Sequence, residues 1–174
     1  AFGRLTTFRI YHEYYEPALE EILIPENISN LDSLTSLILE QNPKLSGSIP
    51  EGIGNLTILT VLSLQDNNLT GELPDSIGNL INLSTLKLRN NQLSGEIPES
   101  ICNLTTMDWS SSSSFNIENN YLCPPFPECM SDDIDYYGEQ CGRFVNDDIP
   151  PEACDCVLTG CTDIDACNLT SLCS

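Results

Sequence analysis

The 174-residue chain carries 26 acidic and only 6 basic side chains, which gives a formal net charge of −20. With 40% hydrophobic and 18% charged residues it is apolar enough to fold. It contains no run of about 18 apolar residues, the length that a membrane-spanning helix needs. It also lacks the basic surface that binding to nucleic acid or to an anionic membrane requires.

The N-terminal segment is rich in aromatic side chains and contains no cysteine. Because it opens without an initiator Met or a signal peptide, we interpret the chain as a processed or truncated product. The aromatic cluster is expected to form either core or an interface, where Tyr and Phe are enriched. An assembly interface would comprise Phe2, Phe8, Tyr11, Tyr14 and Tyr15.

An internal repeat occupies the middle of the chain. The motif L-[S/T]-G-x-[I/L]-P begins at Leu45, Leu69 and Leu93, a spacing of 24 residues. An L-x-L pair and then an Asn precede each copy, and an Asn-Leu pair follows it. The recurrent asparagines are Asn42, Asn67 and Asn91, and the Asn-Leu leucines are Leu31, Leu56, Leu80 and Leu104.

These columns strongly resemble the leucine-rich repeat family in its 24-residue plant-type version. The resemblance covers residues 5–122, where Leu5-x-x-Phe8-x-Ile10 and Phe115-x-Ile117 form degenerate end repeats. It implies an α/β-type repeat solenoid of about five turns, with a short parallel β-sheet on the concave face. We therefore expect a solenoid over residues 1–122, a Cys- and Pro-rich cap over 123–145 and a Cys-rich tail over 146–174.

The cysteines all lie in the second half of the chain. Their spacing lacks the paired pattern of zinc sites, so we expect disulfides in an oxidising, extracellular or cell-surface compartment. We favour a bridge from Cys102 to the segment that follows Leu122, which resembles the closing caps of extracellular leucine-rich proteins. The odd count leaves one thiol free or paired outside the chain. The nine are Cys102, Cys123, Cys129, Cys141, Cys154, Cys156, Cys161, Cys167 and Cys173.

Six N-x-[S/T] sequons predict N-linked glycans on surface turns if the source is eukaryotic. They are Asn27, Asn55, Asn68, Asn82, Asn103 and Asn168. None falls on the strand positions that we expect to be exposed on the concave face. Glycans would therefore cover the sides and the convex face and leave the concave sheet bare.

The exposed concave positions form the binding face that the resemblance implies. Among them, Lys87 and Arg89 offer a site for an anionic partner group, but pairing with Asp66 and Glu118 on adjacent strands is the simpler interpretation. The predicted face comprises Ser36, Ile38, Glu40, Val61, Ser63, Gln65, Thr85, Lys87, Arg89, Asn116 and Glu118.

No motif for catalysis or for a cofactor is present. The single His12 has no nucleophile motif near it, and G-x-S-x-G, Gly-rich phosphate loops and H-E-x-x-H are missing. Asp133-x-Asp135-x-x-Gly138 begins like a calcium-binding EF-hand loop, but Phe144 stands where the last ligand should be a Glu. Calcium held without that motif by clustered carboxylates is the alternative, and the clusters are Asp132, Asp133 and Asp135, and Asp147 and Asp148.

Two functions follow from the sequence, both non-enzymatic and extracellular. In the first, the protein is a structural or adhesive component whose N-terminal turn, which lacks a Cys cap, packs end to end against copies of itself in a layer, fibre or appendage. In the second, it is a recognition ectodomain that binds a protein or glycan on the concave face. We favour the first because the repeats are few, the N-terminal turn lacks a Cys cap, the cysteine count is odd and the sequons are dense.

Overall fold

The computed structural model describes residues 6–11, 21–123 and 126–133. These form a succession of short strands and 3-10 helices in which each repeat makes one turn of a solenoid. The strands are β1 (Thr7–Tyr11), β2 (Ile22–Leu23), β3 (Ser36–Glu40), β4 (Leu45–Gly47), β5 (Val61–Ser63), β6 (Asn68–Gly71), β7 (Thr85–Lys87), β8 (Gln92–Glu96), β9 (Phe115–Asn116) and β10 (Tyr121–Cys123). The 3-10 helices are η1 (Glu26–Asn30), η2 (Glu51–Asn55), η3 (Asp75–Asn79), η4 (Glu99–Asn103) and η5 (Glu128–Asp133).

One parallel sheet, here called the concave sheet, has the order β1-β3-β5-β7-β9. Each L-x-L motif supplies one strand, and Leu37, Leu62 and Leu86 lie in register and are completely buried. The five predicted strands and the solenoid fold are therefore confirmed. The periodic leucines force this arrangement, because one turn cannot bury its apolar face without the next.

A second parallel sheet, here called the flank sheet, has the order β10-β8-β6-β4-β2 and was not predicted. It is built from the L-S-G part of the repeat. Each of its central strands contains a glycine in the left-handed region, with φ of 72° at Gly47, 76° at Gly71 and 77° at Gly95. The glycines redirect the chain from the flank sheet towards the convex side, where a side chain would strain the backbone.

The convex side consists of 3-10 helices instead of the α-helices that many α/β folds use. Each of η1 to η4 follows a proline in extended conformation, begins with an acidic residue and ends before a leucine of the Asn-Leu column. Only five residues separate that proline from that leucine, so the tighter helix fits where a stable α-helix would not. In the described residues, no helix is long and apolar enough to cross a membrane.

The core is a single stack of buried leucines and isoleucines between the two sheets and the helices. The recurrent asparagines lie within it. Asn91 donates from Nδ2 to the carbonyl oxygens of Leu64 and Leu88, at 2.8 and 2.9 Å, and its Oδ1 accepts the N–H of Leu69 at 3.0 Å. Asn67 and Asn120 repeat the two Nδ2 bonds in their own turns. The side chains thus satisfy backbone groups that the turns leave unpaired.

The C-terminal end of the stack is covered by η5. A disulfide joins Cys102 at the end of η4 to Cys129 in η5, and Met130 of η5 is buried against the core. Cys102 was expected to be tied to this segment, and Cys129 is its partner. Nearby, the rings of Trp109 and Phe115 meet edge to face, with centroids 5.0 Å apart. Residues 146–174, and with them the predicted tail, lie outside the described part of the chain.

Candidate functional site

The candidate site is the solvent-facing side of the concave sheet. Because alternate residues of a strand point to opposite faces, the residue between the two leucines of each L-x-L pair points outward. The strand register places five such residues in one row across the sheet. The row contains Arg9, Ile38, Ser63, Lys87 and Asn116.

Two residues of this row are less exposed than we expected. Ile38 is 8% exposed and Ser63 only 2% exposed, so the prediction that both lie open on the face was wrong. Ser63 has a short side chain between longer ones on neighbouring strands about 4.8 Å away, and these shield it from water. Its hydroxyl donates to Oε1 of Glu40 at 2.5 Å. Within this row, the accessible side chains are therefore Arg9 at one end and Lys87 and Asn116 at the other.

Three basic side chains lie at outward-facing positions of the concave sheet. Lys87 and Arg89 lie on β7 and just after it, two residues apart and so on the same side of the strand. Arg9 is exposed on β1 in the row of Lys87. Arg9 was not among the predicted face residues, although its place between Phe8 and Ile10 in the Leu5-x-x-Phe8-x-Ile10 pattern predicts that it points outward. These are three of the six basic residues of the whole chain.

The expected ion pairs form only in part. Nε of Arg89 lies 3.5 Å from Oε2 of Glu118, and both side chains keep solvent access, at 47% and 26%. Asp66 does not pair with either cation within the described residues. It occupies the left-handed turn after β5, with φ of 61°, and accepts a hydrogen bond from Nδ2 of Asn90 at 2.5 Å. Among the described groups, no carboxylate lies within ion-pair distance of Lys87.

Polar ladders surround the face and hold it in place. On the side of the concave sheet where the strands begin, the hydroxyl groups of Thr35, Thr60 and Ser84 each donate to a backbone carbonyl of the preceding turn. On the side where the strands end, Nδ2 of Asn119 donates to Oδ1 of Asn90, and Nδ2 of Asn90 donates to Oδ1 of Asp66. These side-chain bonds link adjacent turns, so the face is a pre-organised surface.

The N-terminal end of the solenoid is apolar. A cavity of about 470 Å³ opens there, and Phe8, Ile28 and Leu31 are among the residues that line it. Ile22 and Leu23 of β2 are 45% and 59% exposed beside it. Of the predicted aromatic interface, Phe8 packs partly buried against the core and Tyr11 ends β1. Phe2, Tyr14 and Tyr15 lie outside the described residues, as does His12.

Five sequon asparagines fall in the described part, and all five are exposed. None belongs to a strand of the concave sheet. Asn27, Asn55 and Asn103 lie in 3-10 helices, Asn68 begins β6, and Asn82 lies on the connection before β7. Asn168 lies outside the described residues.

Metal-binding geometry is not found in the part of the chain that the structure describes. There, no three residues among His, Cys, Asp and Glu come together closely enough to hold a metal ion. Asp135, Asp147 and Asp148, which carried the idea of a calcium site, lie outside the described ranges. So do Cys141, Cys154, Cys156, Cys161, Cys167 and Cys173.

Comparison with known proteins gives one matching family and a set of related structures. The family described as Leucine Rich Repeat matches residues 33–56, 59–80 and 82–104. No curated protein matches the chain.

Three similar structures are of plant proteins. The leucine-rich repeat ectodomain of the receptor kinase SOBIR1 from Arabidopsis thaliana is 28% identical with a TM-score of 0.57, covering 64% of this chain and 57% of that one. The BIR2 ectodomain from Arabidopsis thaliana is 32% identical with a TM-score of 0.53, covering 60% and 52%. The plant peptide hormone receptor RGFR1, solved in complex with RGF2, is 39% identical with a TM-score of 0.51, covering 59% and 16%. The chain therefore spans about half the length of the first two and a small part of the third.

Proposed function

The chain belongs to the leucine-rich repeat family, and from this premise we propose that it is an extracellular or cell-surface module that binds a protein or peptide on its concave sheet. Receptors among the similar structures support this, since the plant peptide hormone receptor RGFR1 was solved in complex with RGF2. Binding of this kind needs a rigid surface and no catalytic group. The ladders that connect the turns provide such a surface and limit the entropy that binding would cost.

The observation that carries the proposal is the charge of the concave sheet. The protein has a net charge of −20, yet three of its six cations lie on this one face. On the face positions of the described strands only Glu40 and Glu118 oppose them. A negatively charged protein repels anionic partners everywhere except at such a patch, so the patch both steers and orients them. We infer that the bound segment is acidic and that its carboxylates approach Lys87 and Arg89.

The experiment compares two charge reversals. Binding of the full chain to a Glu-rich synthetic decapeptide, and to the same peptide with Gln in place of Glu, is measured by fluorescence anisotropy. The double variant Lys87→Glu/Arg89→Glu should weaken binding of the acidic peptide at least about tenfold, which corresponds to about 1.4 kcal/mol. Lys44→Glu is the control, because Lys44 lies beside the flank sheet, in the turn before β4.

Two results would contradict the proposal. Equal loss of binding in the Lys44→Glu control would mean that only the net charge matters. Equal affinity for the Glu and Gln peptides would mean that the cationic patch takes no part in binding.

Assembly of copies is the second candidate function, and the apolar N-terminal end favours it. Ile22 and Leu23, which form β2 at the edge of the flank sheet, expose large apolar surface there, at the same end of the stack as the edge strand β1. The other end of the stack is covered by η5 in the described residues. A contact through the N-terminal end alone would join two copies in a closed pair, whereas a filament would need a further surface. Electron microscopy and light scattering of unreduced protein test this, and dispersed monomers at all concentrations would exclude it.

A further inference from the structure

The row of outward-facing residues across the concave sheet carries its positive charges at a fixed spacing. Arg9 lies in register with Ile38, Ile38 with Ser63, and Ser63 with Lys87. Arg9 and Lys87 are therefore three strand steps apart, which places their Cα atoms about 14 Å from each other at about 4.8 Å per step. The side chain of Arg9 is exposed and that of Lys87 is partly exposed. The row thus offers two separate points at which a negative group can bind.

The middle of the row is unfavourable for a third negative group. Ser63 is buried, and its hydroxyl already donates to Oε1 of Glu40, whose charge would repel another carboxylate. Val61 lies two residues before Ser63, on the same side of β5, and is partly exposed. Ile38 on the adjacent strand adds a second apolar side chain. Between its two cationic points the face is therefore apolar and negatively charged.

An extended peptide matches this spacing. Its side chains at positions i, i+2 and i+4 point to the same side, and positions i and i+4 are about 14 Å apart at about 3.4 Å per residue. In an α-helix, which rises only about 1.5 Å per residue, the two acidic residues would have to lie about ten positions apart. The strands β5 and β7 have three residues each, so the face is only about 10 Å wide along the strands. That width suits a single extended chain that crosses the strands.

We propose that the concave sheet selects an extended segment with the pattern acidic-x-apolar-x-acidic, which lies across the strands along the axis of the solenoid. One carboxylate binds Arg9, the other binds Lys87 and Arg89, and the apolar side chain between them packs on Val61. Arg9 thereby determines the spacing of the two acidic residues, and Glu40 disfavours a third one between them. This inference rests on the proposed binding of an acidic segment and narrows the sequence of that segment.

The test measures binding of three labelled synthetic peptides to the full chain by fluorescence anisotropy. Their central motifs are Glu-x-Leu-x-Glu, Glu-x-Glu-x-Leu and Glu-x-Glu-x-Glu, and the first two have the same composition. The first should bind about fivefold more tightly than the second, because its second carboxylate gains a solvent-exposed ion pair. The third should bind no more tightly than the first, although it carries one more charge. Arg9→Gln should make the first two peptides bind equally, whereas Lys44→Gln, which removes the same charge beside the flank sheet, should preserve the preference.

The outcomes separate this inference from the proposed function. Equal affinity for the first two peptides, with both still weakened by Lys87→Glu/Arg89→Glu, would overturn the spacing and leave the binding of an acidic segment intact. A preference that survives Arg9→Gln would show that Arg9 is not the second anchor, and tightest binding of the third peptide would overturn the apolar centre. If no Glu peptide binds more tightly than its Gln counterpart, both the inference and the proposed function are wrong.

Discussion

Cys102 forms its disulfide with Cys129 from the position in the turn that glycine holds in the two preceding repeats, at Gly54 and Gly78. A Cβ atom at Gly54 would lie 2.4 Å from the carbonyl oxygen of Ser76, and one at Gly78 would lie 2.3 Å from that of Ser100. The next turn therefore excludes a side chain at this position. At Cys102 the next helix along the stack is η5, which carries Cys129 where η3 and η4 carry Ser76 and Ser100, and the two cysteines form a bond instead of a clash. The repeat position that holds Gly54 and Gly78 lets adjacent turns pack closely, and the cysteine at the same position in the next repeat attaches η5 to the end of the stack.

The disulfide should stabilise the last turns of the solenoid. Cys102→Ser/Cys129→Ser should lower the free energy of unfolding by about 3 kcal/mol, because the bond closes a loop of intermediate length in the unfolded chain. Urea unfolding followed by the fluorescence of the single Trp109 measures this, since the ring lies beside Phe115 at that end. The wild-type protein in reductant should approach the variant, and a variant as stable as the oxidised wild type would contradict the prediction.

Glycines from two different columns of the repeat predict different costs of substitution. Gly78→Ala should destabilise the protein by about 3 kcal/mol or more, because its Cβ would meet the backbone of Ser100 and the turns must separate. Gly71→Ala is the comparison. Its Cβ would have only an ordinary contact, 3.5 Å from Cβ of Ser48, so the cost there is the left-handed backbone, about 1–2 kcal/mol. Equal losses in thermal unfolding would mean that close approach of the turns is not the constraint.

The asparagine column should contribute strongly to stability. Asn91→Ala leaves the N–H of Leu69 and the carbonyl oxygen of Leu64 without this partner inside the core, and each such loss costs about 1–3 kcal/mol. We expect a total loss of at least about 3 kcal/mol in urea unfolding. Asn79→Ala is the matched control because Asn79 is exposed and should change stability by less than about 0.5 kcal/mol. Similar losses in both variants would refute a special role for the buried amide.

The ion pair on the concave sheet predicts opposite effects on stability and binding. Because Arg89 and Glu118 both keep solvent access, Glu118→Gln should change the free energy of unfolding by no more than about 1 kcal/mol. It should tighten binding of the Glu-rich peptide, since Glu118 no longer competes for Arg89. The measurement is peptide affinity at two salt concentrations, and the gain should shrink at the higher one. Weaker binding of the acidic peptide by this variant would contradict the proposal that the concave sheet binds an acidic segment through its basic side chains.

The repeat spacing was enough to predict the concave sheet. Leu37, Leu62 and Leu86 recur at the pitch of one turn, and only stacking of turns in parallel buries them all. The flank sheet could not be predicted in the same way, because Leu45, Ser46 and Gly47 show no strand alternation and pair only after the stack has brought equivalent segments side by side. The outward position of Arg9 was predictable from Phe8 and Ile10, but the aromatic residues around it suggested an interface instead.

The sequence by itself determined the solenoid, its five strands and the inward leucines, because these depend on a periodic pattern that only one stacking satisfies. Tertiary structure decided which residues of the concave face remain accessible, as the burial of Ser63 and the pairing of Arg89 with Glu118 show. It also decided that Cys102 bonds to Cys129 and that the amides of Asn68 and Asn82 donate to backbone carbonyl oxygens of the preceding turn. These properties depend on distances between neighbouring turns, which a repeat in sequence implies but does not specify residue by residue.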